Sequence, residues 1–170
     1  MTASVPRTLH YLDGRESRTV TQAGILAITA PTVVLGEAGM GKTYLLEWLA
    51  QAPGHAWCTA RQLINRPDPS TLLGDAGTLV IDALDEVSAR RQGDAVDLVL
   101  QRLGQIGYPR FVLSCRVAEW QSATSTAAIT EQYPNAPREL HLDPFSEEDA
   151  RIFLTGQLGA ERAEEVVAHG

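Results

Sequence analysis

Cysteine is scarce in this chain of 170 residues: only Cys58 and Cys115 occur. Two cysteines so far apart make neither a disulfide framework nor a zinc site. Both fall in stretches with strand character, where a cysteine behaves as a small buried apolar residue. This usage points to a reducing, cytoplasmic setting. Basic charge is also short. Fourteen Lys and Arg against 21 Asp and Glu leave a net charge of −7. That argues against a broad electrostatic attraction for nucleic acid, leaving only a local basic patch open. No apolar run approaches the ~20 residues a membrane span requires. The N-terminus lacks the basic start and long apolar stretch of a secretion signal. No internal repeat is visible. The four histidines, His10, His55, His141 and His169, are scattered, and none has a neighbour at metal-ligand spacing. No Ser-His-Asp or Cys-His grouping can be argued from the order of residues. What is present is an ordinary apolar content of 44%, on a chain long enough for one α/β domain.

The most informative segment is Gly36-Glu37-Ala38-Gly39-Met40-Gly41-Lys42-Thr43. It fits the phosphate-loop pattern G-x-x-x-x-G-K-[ST] at every required position. Thr32-Val33-Val34-Leu35 before it is a short apolar, mostly β-branched run with the look of a buried strand. Tyr44 to Ala50 after it has apolar residues at helical spacing. The residue types suit a nucleotide triphosphate. The glycines let backbone N–H groups crowd against phosphate oxygens, and the helix start adds unpaired N–H groups and the positive end of its dipole. Lys42 supplies a cation for the β- and γ-phosphates, and Thr43 a hydroxyl for Mg²⁺. The residues predicted to hold nucleotide are therefore Gly36 through Tyr44. The bland alternative is a Gly-rich turn that happens to precede a helix.

Thr78-Leu79-Val80-Ile81-Asp82 is a second apolar strand, ending in an acid. Paired with the phosphate loop it reads as a Walker B strand, with Asp82 holding Mg²⁺ directly or through water. Asp85 and Glu86 follow closely. Glu86 is the first choice to polarise an attacking water, with Asp85 assisting; otherwise either acid caps the next helix, as Ser88 also can. Arg110 to Arg116 is a third strand-like run. If it lies between the other two, Ser114 and Arg116 come near the γ-phosphate, and Arg116 can sense it. The alternative is a surface arginine opening a helix over residues 117–122.

The rest of the chain divides into a lead-in (1–31), a core (32–143) and a final segment (144–170). In the lead-in, residues 7–11 read as a strand and 19–28 as a helix, and Tyr11 is a candidate to border a base. Residues 56–60 read as a strand, and 61–75 as a short helix followed by a loop broken by Pro67 and Pro69. Residues 89–105 read as an amphipathic helix. Residues 122–137, small and polar, read as a mobile loop, and 139–142 as a final strand. Ser146 and Asp149 suggest a capping box for a further helix.

These segments resemble the STAND class of signal-transduction NTPases, particularly its NACHT-type members. The carriers are G-E-A-G-M-G-K-T at residues 36–43, L-V-I-D-A-L-D-E at 79–86, F-V-L-S-C-R at 111–116 and L-D-P-F-S-E-E-D-A at 142–150. NACHT-type proteins commonly show D-G-x-D-E, and here Ala83 replaces the glycine. The resemblance implies a three-layer P-loop fold with a parallel five-stranded sheet in the order 5-1-4-3-2. It places the third motif's strand between the Walker strands and makes 144–170 the start of a helical subdomain. It further implies ATP/ADP and Mg²⁺ as ligands, slow hydrolysis, and a nucleotide-gated signalling switch of the kind found in bacterial defence. Self-association, or further domains of a longer chain, would then be the partners. A mechanical ATPase of AAA+ type and a small-molecule P-loop kinase share the core motifs and remain the alternatives.

Overall fold

A computed structural model describes residues 7–37, 41–84, 95–120 and 122–144. Its strands are β1 (Thr8–Asp13), β2 (Glu16–Thr21), β3 (Thr32–Leu35), β4 (His55–Thr59), β5 (Thr78–Asp82), β6 (Arg110–Cys115) and β7 (Arg138–Leu142). The described helices are α1 (Gln22–Ile25), α2 (Lys42–Ala50), α3 (Ala60–Asn65), α4 (Ser70–Leu73), α5 (Ala95–Gln105) and α6 (Ser122–Gln132), with a 3₁₀ turn at Val117–Glu119.

The strands form one sheet in the order β2-β1-β7-β3-β6-β5-β4. From β7 to β4 all pairings are parallel, so these five strands follow the order the resemblance implied. The sheet itself is not a parallel five. A hairpin of β1 and β2 extends it, and β1 runs antiparallel to β7.

Alternation along the parallel strands explains the layers. Val33, Leu35, Leu79, Ile81, Phe111 and Leu113 project to one face, where they meet Leu63 of α3, Val99 and Leu103 of α5 and Ile129 of α6. Val34, Val80 and Val112 project to the other, against Leu45, Leu46 and Leu49 of α2. Both faces are covered, so β3 and β5 are buried along their whole length and read as continuous apolar runs. The two cysteines are free and buried, as their strand positions suggested. Burial pushes the Cys58 thiol up to about 12.

The stretch after Pro69, expected as loop, holds the short helix α4, and two further local readings need correction. Residues 19–21, expected to begin a helix, end β2, and the helix is only Gln22–Ile25. Thr21 closes the strand and caps the helix, its hydroxyl accepting from Gly24 N at 3.2 Å. Strand β2 is almost wholly exposed and polar, so no apolar alternation announces it. The signal was Asp13-Gly14. Gly14 takes φ +66° at the first central position of a two-residue loop, which the Asp13–Glu16 pairing closes. Residues 122–132, expected as a loop, form α6. Tertiary packing overrides their weak pattern: Ile129 and the following Tyr133 are buried, and Tyr133 donates to Pro109 O at 2.6 Å. Its ring meets Phe111 edge-on at 5.3 Å.

Candidate functional site

The carboxyl ends of β3, β5 and β6 converge where the phosphate-loop sequence leaves the sheet. Gly36 N donates to Cys115 O at 3.3 Å, tying the start of the loop to the end of β6. At the far end of the loop, Gly41 takes φ +86°, a left-handed conformation that suits a residue without Cβ, and α2 opens at Lys42. The Lys42 ammonium folds back over the loop and donates to Gly36 O at 2.6 Å. The carbons of that side chain lie 3.5 Å from where a Cβ on Gly36 would stand. Lys42 is the chain's single lysine; the rest of the 14 Lys and Arg residues are arginine.

Strand parity brings the remaining groups together. Asp82 and Ser114 share a phase with Val80 and Val112, so both project to the face that α2 covers. There Thr43 Oγ1 donates to Asp82 Oδ2 at 2.9 Å. Ser114 Oγ donates to the other carboxylate oxygen, Oδ1, at 2.6 Å. The Ser114 oxygen in turn accepts from Ala83 N at 2.9 Å. Asp82 is 5% exposed and Ser114 is fully buried. Ala83, at φ +67°, holds the left-handed backbone that a glycine takes without strain.

Gly36, Gly41, Lys42, Thr43, Asp82 and Ser114 thus form one cluster. Arg116 directly follows β6 on the same edge of the sheet; it is exposed and stands at the N-cap of the 3₁₀ turn. Glu37 is exposed and Tyr44 is 49% exposed. Ala38, Gly39, Met40, Asp85 and Glu86 lie outside the described residues. Sequence reasoning put Ser114 near a phosphate and missed its two hydrogen bonds. The shared phase of Asp82 and Ser114 was readable, but their adjacency depends on β5 and β6 being neighbours, which sequence alone does not give.

The donor set fits a magnesium-bound nucleotide. Among the described residues no group of three or more His, Cys, Asp or Glu could hold a metal by itself. One hydroxyl and one carboxylate within 2.9 Å of each other suit Mg²⁺ that completes its shell with phosphate and water. When bound, Mg²⁺ would neutralise phosphate charge. Thr43 and Asp82 would hold it, and Lys42 would bind the phosphates.

No family model and no curated protein matches the chain. Solved structures do. Domain III of the Thermotoga maritima replication initiation protein DnaA superposes with a TM-score of 0.57 at 15% identity. That match covers 87% of this chain and 71% of the other. A DNA replication initiation factor superposes with a TM-score of 0.53 at 12% identity, covering 85% of this chain and half of the other. At these identities the likeness concerns the fold: a mixed α/β sheet flanked by helices. No described helix is long and apolar enough to cross a membrane.

Proposed function

We propose that this domain binds Mg·ATP at the edge formed by β3, β5 and β6, hydrolyses it slowly, and acts as a nucleotide-gated switch of the STAND type. One observation carries the nucleotide reading. Lys42, Thr43 and Asp82 come from a phosphate-loop helix and a neighbouring strand, yet converge with Thr43 and Asp82 in direct hydrogen bond. Bound ATP and ADP would differ in their contacts at Lys42 and Arg116, and that difference would bias the conformation. The choice of a switch rests on the acidic pair after Ala83 and on the Pro-Phe step at residues 144–145.

A second reading, an ATPase working on DNA, is favoured by the likeness to replication initiation proteins. The net charge of −7 counts against it. ATP turnover measured with and without duplex DNA separates the two. The switch reading expects slow turnover indifferent to DNA, with Glu86→Gln reducing turnover while ATP binding persists. Strong stimulation by DNA would transfer the assignment to the second reading.

A further inference from the structure

We infer that Ser114 is a positioning residue for the metal acid: it fixes the Asp82 carboxylate and clamps the strained backbone of Ala83. The inference rests on the nucleotide reading and deepens it. A hydroxyl has one proton to give. Ser114 gives that proton to Asp82 Oδ1 and takes the Ala83 N–H on its oxygen. Its oxygen is fully buried and already engaged on both sides, so the serine does not serve as a direct phosphate contact.

The consequences are geometric. Thr43 holds one oxygen of Asp82 and Ser114 the other, so the plane of the carboxylate is set from two strands and a helix. Loss of the serine would leave Asp82 held at one oxygen only. It would also leave the half-buried Ala83 N–H without that acceptor, at the residue with φ +67°. Ser114 therefore couples the metal acid to the direction in which the chain leaves β5 at Ala83. Partners that orient a metal ligand in this way commonly contribute 10–100-fold in metal affinity, a range of about one to two orders of magnitude.

The test uses the 170-residue chain and a fluorescent ATP analogue, titrated with Mg²⁺ and again in EDTA, alongside thermal melting. Ser114→Ala should raise the Mg²⁺ concentration for half-maximal binding about 10–100-fold while binding in EDTA is unchanged. Ser114→Thr, which keeps the hydroxyl, should recover the Mg²⁺ response. Adding Ala83→Gly to Ser114→Ala relieves the backbone strain, so the double variant should recover part of the lost melting temperature but not the Mg²⁺ response. A Ser114→Ala protein with the wild-type Mg²⁺ response overturns the inference. So does a double variant whose Mg²⁺ response is restored, because the serine would then act through backbone strain alone. A wild type that binds no analogue in any condition overturns the nucleotide reading itself, an outcome distinct from the other two.

Discussion

On one flank of β7 runs β3, with all four residues buried; on the other runs β1, with one buried residue in six. The β3 flank is parallel and in register over four residue pairs. The β1 flank is antiparallel, and its ladder stops after Leu9↔Leu142 and His10↔His141. Beyond that point the two strands part around a polar groove of about 440 Å³ edged by Asp13, Thr126, Arg138 and Glu139. His10 stacks on His141 and pairs with Asp143 at 2.6 Å, a contact that is about half exposed on the histidine side. Burial on both faces anchors the parallel core, and the Lys42–Thr43–Asp82–Ser114 cluster sits on its edge. The hairpin is tied down by one fully buried leucine, a two-pair ladder to β7 and the polar contacts of His10, and none of the six clustered residues comes from it.

Truncations should expose this asymmetry. The largest effect is expected for Phe111→Ala, which empties a buried site of the parallel core and should destabilise by ~3–5 kcal/mol in urea unfolding. Leu9→Ala removes the hairpin's buried anchor and should cost ~2–5 kcal/mol. A loss below 1 kcal/mol at Leu9 would mean that the hairpin is held by something other than this side chain. At the site, Asp82→Asn should raise the Mg²⁺ requirement for nucleotide binding by about 10–100-fold, with binding in EDTA preserved. Two backbone variants should then move in opposite directions. Gly14→Ala places a Cβ at φ +66° with open space around it, so only backbone strain is added, at about 1 kcal/mol. Ala83→Gly removes comparable strain and should raise stability by up to about 1 kcal/mol, since glycine's greater freedom when unfolded offsets part of the gain. The smallest effect belongs to Leu12→Ala on the exposed face of β1, within about 0.5 kcal/mol of wild type. Equal losses at Leu9 and Leu12 would erase the distinction between anchored and open ends of the hairpin.

Legibility in the sequence follows the same division. Thr32–Leu35 and Thr78–Asp82 were readable to the residue because strands buried on both faces are apolar along most of their length. The phosphate-loop pattern stands out in the sequence because backbone crowding demands glycine at fixed positions. Strand β2 was not, because an exposed strand needs no apolar residue, and only Asp13-Gly14 marked it. Helix α6 was hidden for a related reason. Its small polar residues carry little helical pattern, and its place is set by Ile129 joining the core cluster shared by the sheet and α5. Within the site, residue types were legible and their contacts were not. The bond from Ser114 to Asp82 spans 32 residues and exists because β5 and β6 are neighbours, a fact of topology. Ala83 shows the converse: the resemblance marked a glycine position, and the backbone there keeps a glycine-like φ although the residue is alanine.

The central claim is that the cluster at the ends of β3, β5 and β6 binds a magnesium nucleotide through Lys42. Calorimetric titration of Mg·ATP into the wild type and Lys42→Ala tests it most directly. Lys42 is the only lysine, so the substitution removes the chain's one ammonium side chain. Binding by the wild type, weakened about 100-fold or more in a Lys42→Ala protein that melts normally, is the predicted result. Equal Mg·ATP affinity in the two proteins, or none in the wild type, would contradict the account.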